Sequence, residues 1–460
     1  MRRLGFSPRW NEIKRSGIHL LSEVLLPYRE PYGFSHRLVT AAYRRLLTET
    51  EYADSRQVEN LQLLRLKKIL KTAGKIPWWK DHFANAGLVL PVSKLNDLEK
   101  LPPVTKYSFS GISRAQFASR FFPGHPRLLL HRTSGTTGAP FEWGVDRNTL
   151  FVETASYLHR AITWFGIPIR GKYPFIATFV YWSYAVPGIE MWWNPVASSE
   201  PRDFVRMLRM MRENNSRVLF SYPTNLLLFA KKLSELRERV PLELALATGQ
   251  RLNDEDRAYV EKALGCPVGN LYGSREFGQM AIECPQRHHW YHINSERLLV
   301  EITDEVGKRL PDGVEGIITI TSLENHAMPL IRYQLGDRGR IIPETCPCGR
   351  TLPLLEFFGK DMDFIRLPNG GIIPFRHINL VVLLQFFDEI EFYQIVQASL
   401  YRLIIRLKLK NRASPDFEKR FLQKLRVYVG NELDVSFEYP DSWNISEGRK
   451  MKVFIPLATY

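Results

Sequence analysis

The sequence predicts an α/β protein: a large N-terminal domain of layered α/β subdomains plus a small β-rich subdomain, followed by a small α+β C-terminal domain. Three observations predict it. At 460 residues the chain exceeds what one hydrophobic core organises, so two or more domains are expected. Between residues 150 and 270, helical stretches such as FVRMLRMMRENN alternate with short apolar runs such as SRVLFSYP and ELALATG, the pattern of a layered α/β domain. Beyond residue 359 a new unit begins. HINLVVLLQFF reads as a helix, YRLIIRLKLKN has the alternation of a half-buried strand, and PDFEKRFLQKLRVYVG reads as a second helix.

The remaining elements follow from spacing. Residues 51 to 76 carry Leu63, Leu66, Ile69 and Leu70 at helical intervals and stop before Pro77. From 297 to 342 the pattern changes to strands such as EGIITIT, with a turn at Pro311, Asp312 and Gly313. No internal repeat and no low-complexity linker divides the chain. The domains are therefore read as 1–358 and 364–460, joined at a short hinge, 359–363.

Composition bounds the function classes. A 45% hydrophobic content is that of a globular protein, and no apolar run approaches the ~18 residues of a membrane span. The longest, INLVVLLQFF at 378–387, fits a buried helix. The N-terminal stretch IHLLSEVLLP is broken by Ser22 and Glu23 and lacks a small-residue cleavage site, so no signal peptide is expected. Four cysteines make no disulfide framework, and a reducing cytoplasm is the expected location. The net charge is +15, and residues 1–50 hold nine Lys/Arg against four Asp/Glu, a net of +5. Their amphipathic stretches GIHLLSEVLL and HRLVTAAYRRLL suit either a helix packed on its own domain with a solvated basic face or a segment resting on an anionic membrane surface. No zinc-finger, ribonucleoprotein or helix-turn-helix pattern accompanies the charge, which argues against nucleic acid as a partner.

The segment HRTSGTTGAPFEWGVD, 131–146, concentrates hydroxyls and glycines just after the apolar run Leu128, Leu129, Leu130. Gly135 and Gly138 let the backbone turn tightly and approach an anion, while Ser134, Thr136 and Thr137 add hydroxyl donors. It is not the nucleotide loop ending in Gly-Lys-Ser/Thr, because Pro140 follows Ala139 and no Lys is present. Two later segments have related character. NLYGSREFGQ, 270–279, runs from an apolar strand end through a Gly turn to Glu276, and PLIRYQLGDRGR, 329–340, sets Asp337 directly after a Gly.

In this order the three segments resemble the phosphate loop, the Tyr-Gly-x-x-Glu segment and the Arg-Tyr-x-x-Gly-Asp segment of the acyl-adenylate-forming enzymes. EYADSRQVENLQLLRLKKILKTAGKIPWW, ATGQRLNDEDRAYVEKALGCPVGNLYG and CPCGRTLP are similar to the phenylacetate-CoA ligase and capsule-biosynthesis (CapK-like) branch, over roughly residues 50–455. The resemblance implies the chemistry. An acid is activated by ATP with pyrophosphate leaving, so charge must be stabilised rather than a proton moved; a CoA thioester follows. It implies that residues 134–138 and Gly273 cradle phosphates, that Glu276 holds Mg2+, that Tyr272 lies against adenine, and that Asp337 accepts from both ribose hydroxyls. Gly249 and Gln250 fall at the adenine-side strand end, where Thr248 and Gln250 replace two residues of the family's Gly-Gly-Glu. Arg332 and Arg350 suit either a phosphate-steering or a bracing role.

Cys346 and Cys348 form a Cys-Pro-Cys-Gly knuckle, and Cys284 precedes three histidines at 288, 289 and 292. Three thiols and one imidazole make a closed tetrahedral set of the structural zinc type. In the branch the His falls in the segment matching HIN, which makes His292 the first choice and His289 the second. Cys266 reads as a small buried hydrophobe.

Two further departures from the family matter. The hinge reads Gly359, Lys360, Asp361, Met362, Asp363 where Gly-Arg-x-Asp-Asp is usual, and Lys360 keeps the charge of Arg without its planar fork. The C-terminal Ser-Gly-Lys appears as Glu447, Gly448, Arg449, followed by Lys450, so the catalytic cation is either Arg449 or Lys450. The expected partner is a small carboxylic acid. The aromatics of FVYWSYAVPG and MWWNP are compatible with a flat aromatic one. Two alternatives stay open: transfer of the acyl group to an amine or sugar acceptor in surface-polysaccharide assembly, and a degenerate nucleotide-binding protein without activity.

Overall fold

The computed structural model describes residues 44–109, 128–132, 142–146, 157–168, 175–178, 189–191, 201–360 except 214, 250, 251, 253 and 275, and then 364–369, 372–378, 386, 389–409, 416–440 and 454–457. Strands β1 (Leu128–Arg132) and β2 (Glu142–Asp146) form an antiparallel ribbon. Strands β3 (Phe175–Thr178), β4 (Ile189–Met191), β5 (Ser216–Ser221), β6 (Leu244–Thr248) and β7 (Val268–Ser274) run parallel to their neighbours. Strands β8 (Gly278–Cys284), β9 (Arg287–Ile293), β10 (Leu298–Thr303), β11 (Gly316–Ser322), β12 (Tyr333–Ile342) and β13 (Leu354–Lys360) extend the same sheet in antiparallel pairing. The spatial order is β10-β11-β12-β13-β9-β8-β7-β6-β5-β3-β4. The turn from β7 to β8 thus joins the parallel half to the antiparallel half.

The helices cover the faces as the sequence pattern predicts. Helix α1 (Ser55–Ala73) opens on a capping box between Asp54 and Gln57 and closes at Gly74. Pro77 then starts α2 (Pro77–Asn85) at a position where no backbone donor is missed. Both pack on the antiparallel half, burying Leu66, Ile69, Leu70, Trp79 and Phe83. The parallel half is buried on both faces, which is why its strands read as near-continuous apolar runs. Ala245 and Ala247 of β6 meet α3 (Pro201–Glu213), α4 (Pro223–Leu236) and α5 (Asp254–Leu264), while Leu244 and Leu246 meet Leu158, Ile162 and Trp164 on the other side.

In the C-terminal part, β14 (Phe364–Arg366) pairs with β15 (Ile372–Pro374), and a second sheet has the order β18-β17-β16-β19. Its strands are β16 (Ile390–Ser399), β17 (Arg402–Leu409), β18 (Asp434–Glu438) and β19 (Phe454–Ile455). The alternation read in YRLIIRLKLKN is present in β17: Leu403, Ile405 and Leu407 are buried together with Phe417, Phe421 and Leu425 of helix α6 (Phe417–Val429). Of the helix expected in HINLVVLLQFF, the structure describes His377 and Ile378, within the short helix Phe375–Ile378, and Phe386; residues 379–385 and 387 lie outside the described residues, as do residues 1–43 of the basic segment 1–50. No helix among the described residues is long and apolar enough to cross a membrane.

Buried charge joins α5 to the middle of the sheet. Both oxygens of Glu283 lie 2.7 Å from Nη2 of Arg257, and Glu283 also accepts from the backbone N–H groups of Asn270 and His289. Replacing Glu283 by Ala leaves the Arg257 guanidinium buried and uncompensated, so Glu283→Ala is expected to cost about 3–5 kcal/mol. Urea unfolding measures this, and an unchanged midpoint would show that the pair adds no stability.

Candidate active site

Tyr272, Gly273 and Glu276 lie at the end of β7 and in the turn to β8, and Asp337 lies in β12 just after Gly336, whose φ is +77°. The sheet brings the two segments into contact. The Tyr272 hydroxyl donates to Oδ2 of Asp337 at 2.7 Å, and its ring stacks on Phe357 of β13 with centroids 4.4 Å apart. The ladder register sets Lys360 directly across from Asp337. Gly273 is required by a close approach: a Cβ there would stand 2.7 Å from the carbonyl oxygen of Gly278.

Burial dominates the electrostatics. It pushes the Tyr272 hydroxyl well above its ordinary value, with Asp337 and then Glu276 adding to the effect. Tyr333 is raised in the same sense, by burial and then by Glu276. Glu276 therefore faces two tyrosines that stay protonated. Asp337 is 4% exposed, and its Oδ1 is buried without a hydrogen-bond partner among the described residues. A buried carboxylate oxygen in that state is an acceptor suited to a hydroxyl donor.

Gly249 ends β6 with a φ of +71°, and a Cβ on it would meet the Tyr222 ring at 3.0 Å. Thr248 pairs with Leu271 in the ladder, which puts Gly249 next to the strand end carrying Tyr272. Ser134, Gly135, Thr136, Thr137, Gly138, Gln250, Arg449 and Lys450 lie outside the described residues. The ribbon β1–β2 brackets the segment 133–141, with Arg132 paired to Glu142. It is fixed to the sheet through Gly144, whose N–H meets the Met328 sulfur at 3.2 Å and whose carbonyl accepts from Asn325.

Of the two readings of Arg332, the structure supports bracing. It is 1% exposed, and its guanidinium is committed to Glu301 and to the carbonyls of Leu101 and Gly307. Arg350 lies 3.5 Å from Glu51 and over the Trp164 ring, and it hydrogen-bonds Cys348 of the thiol cluster. Sequence reasoning did not single out Phe357; an aromatic at an alternating strand position carries no signal that separates a site from a core. Tyr333 is the Tyr of the Arg-Tyr-x-x-Gly-Asp segment.

The cysteines converge. Ligand atoms of Cys284, His292, Cys346 and Cys348 all lie within 4.8 Å of one another, with Cys284 and Cys346 sulfurs 3.4 Å apart and the Cys348 sulfur 3.3 Å from His292 Nε2. His292 fills the histidine position, whereas His289 turns to Asp254 at 2.9 Å. Burial lowers His292 to about 4, so its ring is neutral, as a ligand must be. Nδ1 of His292 lies 3.3 Å from the Leu352 carbonyl, which orients the ring. Burial raises the Cys284 thiol and pushes Cys346 up to about 12. At Cys348 burial is outweighed by hydrogen bonds from Arg350 and the neighbouring thiols, and the thiol lies below its ordinary value.

No protein-family model matches the chain. Among curated proteins, the phenylacetate-coenzyme A ligase of Thermus thermophilus is 25% identical over 441 residues, covering 89% of this chain and 98% of that protein. The Pseudomonas putida phenylacetate-coenzyme A ligase is 24% identical over 435 residues, 90% of this chain and 97% of that protein. Protein CapK of Staphylococcus aureus matches a shorter stretch, 26% over 212 residues, 45% of this chain and 44% of that protein. Among solved structures, 2-hydroxyisobutyryl-CoA ligase in its postadenylation state aligns with a TM-score of 0.73 over 89% of this chain and 91% of that one, at 18% identity. The fold is that of the acyl-CoA ligases, a class of acyl-adenylate-forming enzymes. In sequence the chain is similar to the phenylacetate-coenzyme A ligases and, over less than half its length, to Protein CapK.

The Gly273 contact gives a test of how the hairpin is held. Gly273→Ala forces a Cβ against backbone rather than a flexible side chain, so a loss of about 1–3 kcal/mol is expected, read as a lowered unfolding midpoint. Unchanged stability would mean that the hairpin opens at no cost.

Proposed function

We propose that this chain is an ATP-dependent carboxylate ligase that forms an acyl-adenylate and then a CoA thioester. The observation that carries the proposal is the contact of Tyr272 with Asp337 beside Glu276, in a chain whose likeness to the Thermus ligase spans 98% of that protein. In the first step an acid carboxylate oxygen attacks the α-phosphorus of ATP, the bond to the bridging oxygen breaks, and pyrophosphate leaves. In the second a CoA thiolate attacks the acyl carbon, AMP leaves, and the thiol proton passes to solvent.

Each residue has a role in this reading. Ser134, Gly135, Thr136, Thr137 and Gly138 donate to the leaving phosphates, with Gly273 leaving room for the backbone turn. Oδ1 of Asp337, the orphaned acceptor, takes a ribose hydroxyl, and Oδ2 keeps a second lone pair while bound to Tyr272. Gly249, Gln250 and Tyr272 border adenine. Glu276 would hold Mg2+, which neutralises charge between phosphates. Arg449 or Lys450 approaches the carboxylate from the mobile domain 364–460, which turns about the hinge 359–363 relative to domain 1–358. The acid is proposed to be small and aromatic, and the cytoplasm, where ATP and CoA are supplied, is the proposed location. The match to CapK supports a second reading, in which an amine or sugar acceptor of surface-polysaccharide assembly replaces CoA.

A panel of aryl and fatty acids, scored for acid-dependent pyrophosphate release and then for CoA consumption, tests the proposal. Glu276→Ala is expected to cut release by at least about a hundredfold while the melting temperature holds, because it removes a site charge and no core volume. Full release in the folded variant would remove Glu276 from the site. Release without CoA consumption would favour the acceptor reading.

The four-ligand cluster fits one structural Zn2+. Tetrahedral thiolate ligation at about 2.3 Å sets sulfur–sulfur edges near 3.8 Å, close to the 3.4 Å separation of Cys284 and Cys346. One zinc per chain is expected by elemental analysis of protein purified without chelator, with proton release on reloading because two of the thiols are raised. Stripping it is expected to lower the melting temperature; a zinc-free protein of equal stability would refute the assignment.

A further inference from the structure

On the reading above, in which residues 134–138 donate to the leaving phosphates, we infer a further role for a residue outside that segment: Asn325 is a positioning residue that sets the height at which the β1–β2 ribbon presents the segment to the triphosphate of ATP. A two-stranded ribbon is marginally stable by itself, so its place is set by what it leans on. Strands β1 and β2 are the two stems of the segment 133–141, and Gly144 sits at the middle of β2, opposite Leu130. Pairs in an antiparallel ladder alternately exchange hydrogen bonds and do not, and at the second kind both backbone groups point away from the partner strand. Gly144 uses both groups outward. Its carbonyl accepts from Asn325 Nδ2 at 3.1 Å, and its N–H meets the Met328 sulfur at 3.2 Å.

One loop supplies both partners. Asn325 follows the end of β11 and is buried. Its Nδ2 also donates to the Met328 carbonyl at 3.1 Å, and its Oδ1 accepts from the Met328 N–H at 3.4 Å, so the amide that holds Gly144 also fixes Met328 beside it. A thioether sulfur is a weak acceptor, which leaves the amide as the stronger hold. The loop is in turn tied to α1: Glu324 accepts from Arg65, and His326 Nδ1 lies 2.9 Å from the Thr72 hydroxyl. Trp143 and Val145, on either side of Gly144, are buried. Their apolar burial keeps the ribbon on the body but is non-directional; the two polar contacts of Gly144 fix where on the body it stands. Hydrogen bonds are lost over displacements of about 1 Å, so the height of the ribbon decides how many reach the phosphates.

The test measures binding of ATP with Mg2+, and separately of AMP, to the full chain by calorimetry. AMP lacks the phosphates that leave, so a displaced phosphate segment weakens ATP and spares AMP, whereas general damage to the fold weakens both. Asn325→Ala is expected to weaken ATP at least about tenfold, the equivalent of one lost hydrogen bond to a charged group, with AMP unchanged. Met328→Leu keeps core volume and removes the sulfur acceptor; about a threefold loss of ATP affinity is expected, again with AMP unchanged, and this variant decides if Asn325→Ala does not fold. ATP affinity equal to the parent's in the folded variants, or equal loss of ATP and AMP, overturns the role of Asn325 and leaves the ligase reading in place. A parent chain that binds no ATP overturns both.

Discussion

Parallel strands need crossovers that run over the faces of a sheet, whereas antiparallel neighbours are joined by a turn, and this sheet changes from one to the other between β7 and β8. That change has a spatial consequence. Crossovers leave the ends of β5, β6 and β7 open along one edge, the place where open α/β sheets take ligands. The β7–β8 turn folds back over the same edge and carries Glu276 with it. The antiparallel half then returns through β12 beside β13, so that Asp337, Phe357 and Tyr272 meet. Residues 65 positions apart in sequence touch because one sheet passes through both kinds of pairing.

Segments far apart in the chain are held together by buried guanidinium groups. Arg332 gathers Leu101, Gly307 and Glu301. Arg160, 2% exposed, binds Glu296, Glu51 and the Leu47 carbonyl, tying residues 44–51 to the loop after β9. An arginine offers five donors in a fixed fork. It can therefore satisfy several loop carbonyls at once, which an apolar side chain cannot. The desolvation cost of such groups means they specify an arrangement more than they stabilise it.

How much of this was legible depended on whether the signal was local. The helix ending before Pro77, the alternation in YRLIIRLKLKN and the Cys-Pro-Cys knuckle each have a physical cause within a few residues, and the structure has all three. The clustering of the knuckle with Cys284 and one histidine followed from ligand stoichiometry, whereas the choice of His292 over His289 rested on the resemblance of the HIN segment to the branch. What did not follow was long-range. Nothing near Arg332 distinguishes bracing from phosphate steering, since its partners lie as far away as residue 101. Phe357 looks like any strand aromatic until β13 is laid beside the sheet. The left-handed turn of His289 is likewise invisible, because it is imposed by Glu283 and Arg257 rather than by its own chain neighbours.

Strand β8 links the two ends of this organisation. It begins at Gly278, beside the turn that carries Glu276, and ends at Cys284, a member of the thiol cluster. A strand pinned at only one end can slip, and a slip of one residue would reverse which side chains face the core. Here Met280 and Ile282 would leave the clusters they fill. The packed thiol and imidazole side chains around Cys284 hold the far end, and the Glu283–Arg257 pair holds the residue beside it. The register of β8 then determines where the turn, and with it Glu276, stands over the sheet edge. The side-chain cluster of Cys284, His292, Cys346 and Cys348 at the remote end of the strand is thereby linked to Glu276 through geometry alone.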